Sequence, residues 1–358
     1  MLLSLYISRF FLTYLFLTLF VVFLIVFMID TVELLRRAAS VDNVSSWKVL
    51  LLALLHMPLL IETVLPFTII MGGVFAFLRL NKTLTLAICR ASGFSIWQIL
   101  LPMSIIASII GILICIGFSV LTASSMSLYQ SLEVEYLGVN RSTESAINFT
   151  QPLPNNTGRL VILANASNIE NKALLGVSIF EFNEKDVYQH RIETTSAILS
   201  NGNWQLQPGS IHYATGRVEN FTSKIIPSSL SLEELETRIA QPMLLSFWQL
   251  PDSISKAKKI GVNYKPFEMR YYAYLVTPIQ FIALIALSAL FSLNMSRGGP
   301  KGKALIAAVG TAFFVFIAID LIYDLGSAGW LPTWLAAILP IIVIFSVSYT
   351  RLLYTEDG

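Results

Sequence analysis

Residues 8–35 read SRFFLTYLFLTLFVVFLIVFMIDTVELL, and this run decides the class of the protein. Between Arg9 and Asp30 it carries no charge, over the roughly 20 residues that a helix needs to cross a ~30 Å hydrocarbon core. It is too long for the apolar part of a secretory leader and lacks a small-residue cleavage site after it, so it is expected to stay as a membrane helix. Five further stretches of the same kind lie near residues 48–78, 98–126, 268–294, 303–325 and 331–351. The first two runs exceed the minimum, which implies tilt or protrusion. Pro58 and Pro66 fall inside the second, where neighbouring helices can satisfy the carbonyls that proline frees. Across all 358 residues 55% are hydrophobic and 13% charged, with mean hydropathy +0.69. Soluble domains carry about a quarter charged residues, so lipid is the solvent for much of this chain.

Lysine and arginine in the short segments set the orientation. With the N-terminus inside, the inner segments hold Arg9, then Arg79, Lys82 and Arg90, then Arg297, Lys301 and Lys303, then Arg351. The short outer loops hold Arg36, Arg37 and Lys48. Both termini are therefore expected in the cytoplasm. The formal net charge of +2 gives no footing for a nucleic-acid partner. Cys89 and Cys115 fall in or beside membrane segments and match no disulfide or metal pattern.

Between the third and fourth spans the composition changes to polar, rich in Asn, Ser and Thr. Short apolar or alternating runs at 159–163, 174–182, 195–199 and 204–206 are separated by turn signals, and Asn201-Gly202-Asn203 between two of them reads as a hairpin. Residues 231–240 and 252–260 read as short surface helices. The predicted architecture is an α-helical membrane protein of six transmembrane helices, with an all-β domain of jelly-roll type inserted between the third and fourth and facing away from the cytoplasm. The divisions fall at 1–128, 129–266 and 267–358.

No catalytic constellation emerges. His56, His190 and His212 are scattered, and no HExxH, nucleophile elbow or paired-cysteine motif occurs. The basic turn Gly298-Gly299-Pro300-Lys301-Gly302-Lys303 fails the Walker pattern, because Arg297 stands where glycine is needed and Ala304 where a hydroxyl is needed. Any ATP must be hydrolysed by another polypeptide. A sensor reading lacks a cytoplasmic signalling domain.

Two groups of residues invite a functional reading. Asp30, Glu33 and Arg37 recur at spacings of three and four and share one helix face, with Arg36 alongside. Glu62 lies within the second span, and Asp320 with Asp324 forms a stripe on the fifth. A charge deep in the bilayer costs about 2.5–3.5 kcal/mol, so such residues usually face protein or a wet cavity; near the boundary they simply snorkel. The second group is NKTLTLAICRASG, residues 81–93. Leu84, Ala87, Ile88 and Ala91 follow helical spacing, Asn81 is placed to cap the start and Gly93 to end it. The result is a short helix with one apolar face between two spans, either resting on lipid headgroups or docking in the groove of a partner.

CRASGFSIWQIL (89–100), IDTVELLRRA (29–38) and VFIAIDLIYDLGSAGWLP (315–332) resemble segments of the LptF/LptG permeases of the lipopolysaccharide exporter. The six-span plan with a large extracytoplasmic domain matches too, so the resemblance covers essentially the whole chain. It implies an inner-membrane ABC permease in which two related permeases, one of each type, pair with an LptB ATPase dimer and with LptC. Together they pass lipopolysaccharide to a periplasmic LptA bridge. ATP and Mg would belong to the ATPase, leaving this chain without a cofactor. Carried over, residues 83–93 would be the coupling helix, with Leu84, Thr85, Leu86, Ile88, Arg90, Ala91, Ser92 and Gly93 meeting the ATPase. The family usually has an acidic residue just before the leucine of this helix; Thr85 stands there before Leu86, so docking falls to Arg90 and the apolar face. Arg36 and Arg37 match basic positions that meet substrate phosphates, with Asp30, Glu33, Glu62 and Asp320 completing the polar rim. Phe27 stands where a further basic residue is expected. Permeases of lipoprotein-release type differ in span count.

Overall fold

The computed structural model describes residues 2–39, 44–137, 147–152, 158–168, 173–184, 187–200, 202–214, 216–228, 241–260, 262–295 and 301–356. The surface helix expected at 231–240 and most of the basic turn at 297–300 lie outside the described residues. Nine helices among the described residues are α1 (Leu2–Ala38), α2 (Ser46–Lys82), α3 (Thr85–Ala91), α4 (Ile96–Leu113), α5 (Ser119–Leu137), α6 (Leu250–Ile260), α7 (Lys265–Met295), α8 (Lys301–Ser327) and α9 (Thr333–Glu356). Six helical stretches are long and apolar enough to cross a membrane, as expected, with α4 and α5 forming one of them, Ile96–Leu137. This third span runs well past residue 126, where hydropathy alone ended it. Its outer turns bury only one side, through Met126, Tyr129 and Leu137, so the polar residues on the other side lower the mean hydropathy without ending the helix.

α2 has 37 residues, about 55 Å at about 1.5 Å per residue, far more than a bilayer core requires. The surplus forms a stalk: Leu34 of α1, Val49, Leu52 and Ala53 of α2, and Met126 and Tyr129 of α5 share one buried cluster. Below it, α1, α2, α4, α7 and α8 close around the main core, where Phe11, Ile69, Met103 and Leu284 are fully buried. Small residues bring these helices together, as helix association in lipid demands. A Cβ on Gly111 of α4 would stand 2.7 Å from Cα of Pro278 in α7, and one on Gly72 of α2 would stand 2.9 Å from Cα of Leu15 in α1.

Between α4 and α5 the helix widens into a π turn, Ile114–Phe118. The segment returning from the sheet clasps it. The Trp248 indole donates to the Ile116 carbonyl at 3.2 Å, and the Phe247 amide donates to Ser119 Oγ at 3.4 Å.

The inserted domain is one antiparallel sheet of eight strands: β1 (Ile147–Pro152), β2 (Gly158–Asn168), β3 (Ala173–Asn183), β4 (Tyr188–Ser200), β5 (Asn203–Leu206), β6 (Gly209–Tyr213), β7 (Val218–Phe221) and β8 (Lys224–Pro227). The expected hairpin joins β4 to β5 with Ser200 opposite Asn203 and Gly202 at φ +71°. One edge of β4 is divided, residues 190–194 pairing with β6 and 197–200 with β5. Gly176, at φ +58°, is skipped by the pairing on both sides of β3. The register is the same on either side of it, so this is a left-handed kink without an extra residue; it lets Leu174 and Val177, three apart, both enter the core, which ordinary alternation forbids. That core centres on Trp204, whose indole donates to Gln151 Oε1 at 3.1 Å. Trp204→Phe keeps most of the packing but removes one of the two donors, Trp204 Nε1 and Ser228 Oγ, that Gln151 Oε1 accepts from, so the sheet is expected to lose about 0.5–1.5 kcal/mol. Thermal unfolding followed at strand wavelengths checks this; an unshifted sheet transition would refute it.

Candidate functional site

α3 and the sheet lie at opposite ends of the bundle, because the α4–α5 helix runs from one to the other. The chain's C-terminal helix ends beside α3: the Trp97 ring, just past α3, tilts against Tyr349 of α9 with centroids 5.4 Å apart. Helix α3 does not begin where spacing placed it. Asn81 is in the last turn of α2, ahead of the start of α3 at Thr85; the turn between them is made by Thr83, whose hydroxyl donates to the Arg79 carbonyl at 3.1 Å, and by Leu84 at φ +55°. A non-glycine residue in that region costs of order 1–3 kcal/mol and tends to mark functional sites. The far end is as expected. Gly93 takes φ +84°, its amide donates to the Arg90 carbonyl, and Phe94 donates to that of Cys89, both at 3.0 Å. This closes a Schellman motif. Ser95 and Gln98 then cap α4 reciprocally, so α3 is joined to α4 by a stiff turn.

The two faces of α3 have opposite fates. Leu86 and Cys89 are 8% and 5% exposed and belong to the main core. Leu84 and Ile88 are 65% and 62% exposed, with Ala87 and Ala91 exposed beside them. The apolar stripe read from spacing is thus the free one. Leu86, expected among the docking residues, sits on the opposite side of the helix, where it packs into the bundle and anchors α3. Thr85 is half-buried, and Arg90, Ser92 and Gly93 are exposed.

At the sheet-bearing half of the bundle a cavity of about 780 Å3 opens between α2, α5, α7 and α8. Pro66 of α2 has no N–H for the Glu62 carbonyl, and Pro278 of α7 none for that of Tyr274, which loosens both helices where the cavity forms. Of the residues singled out from sequence, Arg37, Glu62, Asp320 and Asp324 line it. Asp30 and Glu33 stand one contact behind. Asp30 Oδ1 lies 2.9 Å from His56 Nδ1, and Glu33 pairs with Arg37, which also reaches Glu133 at 3.4 Å. Arg36 is exposed and outside the cavity.

Sequence reading missed Arg270, which meets Glu62 at 3.6 Å and donates to Tyr274 Oη at 2.8 Å. It missed Gln280, 3% exposed and accepting from Tyr323 at 3.3 Å, and His56, stacked on Tyr129. A lone arginine at the start of the fourth span was the available signal for Arg270. The other histidines sit in the sheet, where burial holds His190 below the usual imidazole range against the pull of Glu181 at 3.2 Å.

Residues 5–354 match a family model described as lipopolysaccharide export system permease LptF/LptG. No curated protein matches.

Proposed function

Because the chain belongs to the LptF/LptG family of lipopolysaccharide export permeases, we propose that it is the LptG-type half of an exporter that lifts lipopolysaccharide from the inner membrane towards a periplasmic bridge. Membership makes it a multi-pass inner-membrane permease subunit, a non-catalytic component. The observation that carries the mechanical part of the reading is α3, anchored by one face and bare and apolar on the other. A short helix held this way transmits a push to the bundle instead of swivelling. In this reading α3 and both termini face the cytoplasm, in keeping with the lysine and arginine distribution, and an LptB-type ATPase dimer seats α3 in its groove and supplies the ATP and Mg chemistry.

The sister permease, of LptF type, faces this chain across a shared chamber. Exposed apolar residues of α1 and α8, among them Phe20, Met28, Phe313 and Ile317, offer surface for acyl chains. Arg36 and Arg37 offer charge to phosphorylated sugars, with Asp30, Glu33, Glu62 and Asp320 behind them as a polar rim. ATP-driven closure of the motor narrows the chamber, and the β-domain hands the lipid to LptA, with LptC assisting. IDTVELLRRA (29–38) is the segment that favours the LptG half over LptF.

Affinity capture of the tagged chain from its own membranes tests the proposal. An ATPase, one related permease of different sequence and a bound glycolipid are expected to travel together. Absence of the ATPase overturns the exporter reading, and recovery of two identical permease copies overturns the LptG assignment.

A further inference from the structure

Helix α6 packs chiefly against α7 and takes no part in lining the cavity. Its two sides differ. Leu250 and Ile254 join the main core and Ala257 is buried, whereas Asp252, Lys256 and Lys259, at spacings of four and three, are exposed on the other side. Its apolar side is thus satisfied by protein, and what it offers outward is charge. Four lysines gather here. Lys256 pairs with Asp252 at 2.8 Å and Lys258 with Glu268 at 3.0 Å. Glu268 also accepts from Thr333 at 2.7 Å, which holds the end of α6 and the starts of α7 and α9 at one level. The Lys265 ammonium lies against Gly329 in the α8–α9 turn, in the space that a Cβ would need. Lys259 and Lys265 have no ion-pair partner among the described residues.

Depth and sign say what meets this surface. The apolar spans of α7 and α9 begin at Lys265 and Thr333, so this level is the edge of the hydrocarbon. Just inside it lie aromatic rings. Phe247 stacks on Tyr271, about 9 Å in from Lys265 along α7, and Trp248 beside it bonds to the third span at Ile116. Trp248, Trp330 and Trp334 each leave more than half of their surface uncovered. Exposed tryptophan with lysine just above it is how a protein meets a bilayer surface. Charge then selects among headgroups. Both carboxylates of the patch, Asp252 and Glu268, are committed to lysines, so neither is left to take an ammonium. Two ammonium groups, of Lys259 and Lys265, are left over, and they suit a headgroup of net negative charge.

We propose that α6, the start of α7 and the α8–α9 turn form a docking surface for an anionic phospholipid of the phosphatidylglycerol type, in the leaflet on the sheet's side. The phosphate lies by Lys259 and Lys265, and acyl carbon runs inward past Trp248 and Trp330. At about 100° per residue, Glu268 leaves α7 on the side opposite Pro266, Arg270, Ala273 and Thr277, which line the cavity. The patch therefore turns away from the cavity and towards the surrounding bilayer. It needs only that the chain lie in a membrane, so it stands apart from the export reading.

The test puts a photoreactive side chain in the patch. The full-length protein, with whatever subunits accompany it, carries Trp330→p-benzoylphenylalanine and is reconstituted in vesicles of equal dioleoyl phosphatidylglycerol and dioleoyl phosphatidylethanolamine. Adducts formed on illumination are read by mass spectrometry. Phosphatidylglycerol is expected to be captured about tenfold more often, equivalent to about 1.4 kcal/mol. Lys259→Gln with Lys265→Gln, which removes charge and little bulk, should bring the two lipids to equal capture at an unchanged total yield. Equal capture with both lysines in place, a preference that survives the double Gln change, or adducts to protein in place of lipid overturns the proposal. Lipopolysaccharide added to the vesicles separates the two kinds of anionic lipid. Phosphatidylglycerol should remain the main adduct, and its replacement by the glycolipid overturns the assignment.

Discussion

Membranes carrying Ile88→Glu are expected to yield the permease at its normal level and no ATPase with it. Ile88 projects from the bare side of α3, so the change removes no intramolecular packing and the bundle should fold unaltered. In the proposed complex the same residue enters a partner groove. Truncating a central interface anchor costs about 2–4 kcal/mol, and an unpaired carboxylate in its place costs more, so the affinity loss should exceed roughly 100-fold. Ala91→Glu, on the same stripe, should act alike. Leu86→Glu makes the contrast. It sends a charge into the main core, and the permease itself should fall in yield. Normal ATPase recovery with Ile88→Glu would remove α3 from the contact.

Replacing Arg36 and Arg37 together by Glu should abolish lipid-stimulated export, and the two positions should contribute differently. Arg36 is exposed, so Arg36→Glu alone is expected to leave assembly intact. A charge-assisted contact is worth about 1.5–3 kcal/mol, so its loss should reduce transfer by roughly 10-fold to 100-fold, and reversal adds repulsion. Arg37→Glu does more harm, because it places a third carboxylate between Glu33 and Glu133 and undoes the link between α1 and α5. Glycolipid release from proteoliposomes, measured beside recovery of the assembled complex, separates the effects. Undiminished release by Arg36→Glu would take that residue off the lipid's path.

The spans and the sheet were legible because each rests on a local signal. Apolar length identifies a helix in lipid, and Asn-Gly between alternating runs identifies the β4–β5 hairpin. The start of α3 was placed too early, at Asn81, because α2 runs on to Lys82, four residues past the end that hydropathy gave, with Leu80 packed into the core. Spacing could not say which apolar stripe of α3 was free, since Leu86 with Cys89 forms a second one; only the neighbours decide. The cavity was half legible. Glu62 and Asp320 announced themselves as charges inside apolar runs. Arg270 and His56 did not, because each acquires meaning from a partner on another helix, and Gln280 is an ordinary polar residue until the residues around it leave one of its atoms unmatched.

The π turn in the third span has a geometric consequence of its own. Such a turn absorbs one residue more than an α-helix would, and each residue of a helix advances the azimuth by about 100°. Met103 and Gly111 before it and Met126 and Tyr129 after it therefore follow two separate angular settings, one indexed to the bundle and the other to the stalk. Trp248 and Phe247, arriving from the far side of the sheet, hold the offset in place. The bearing of everything outboard is fixed at that one widened coil.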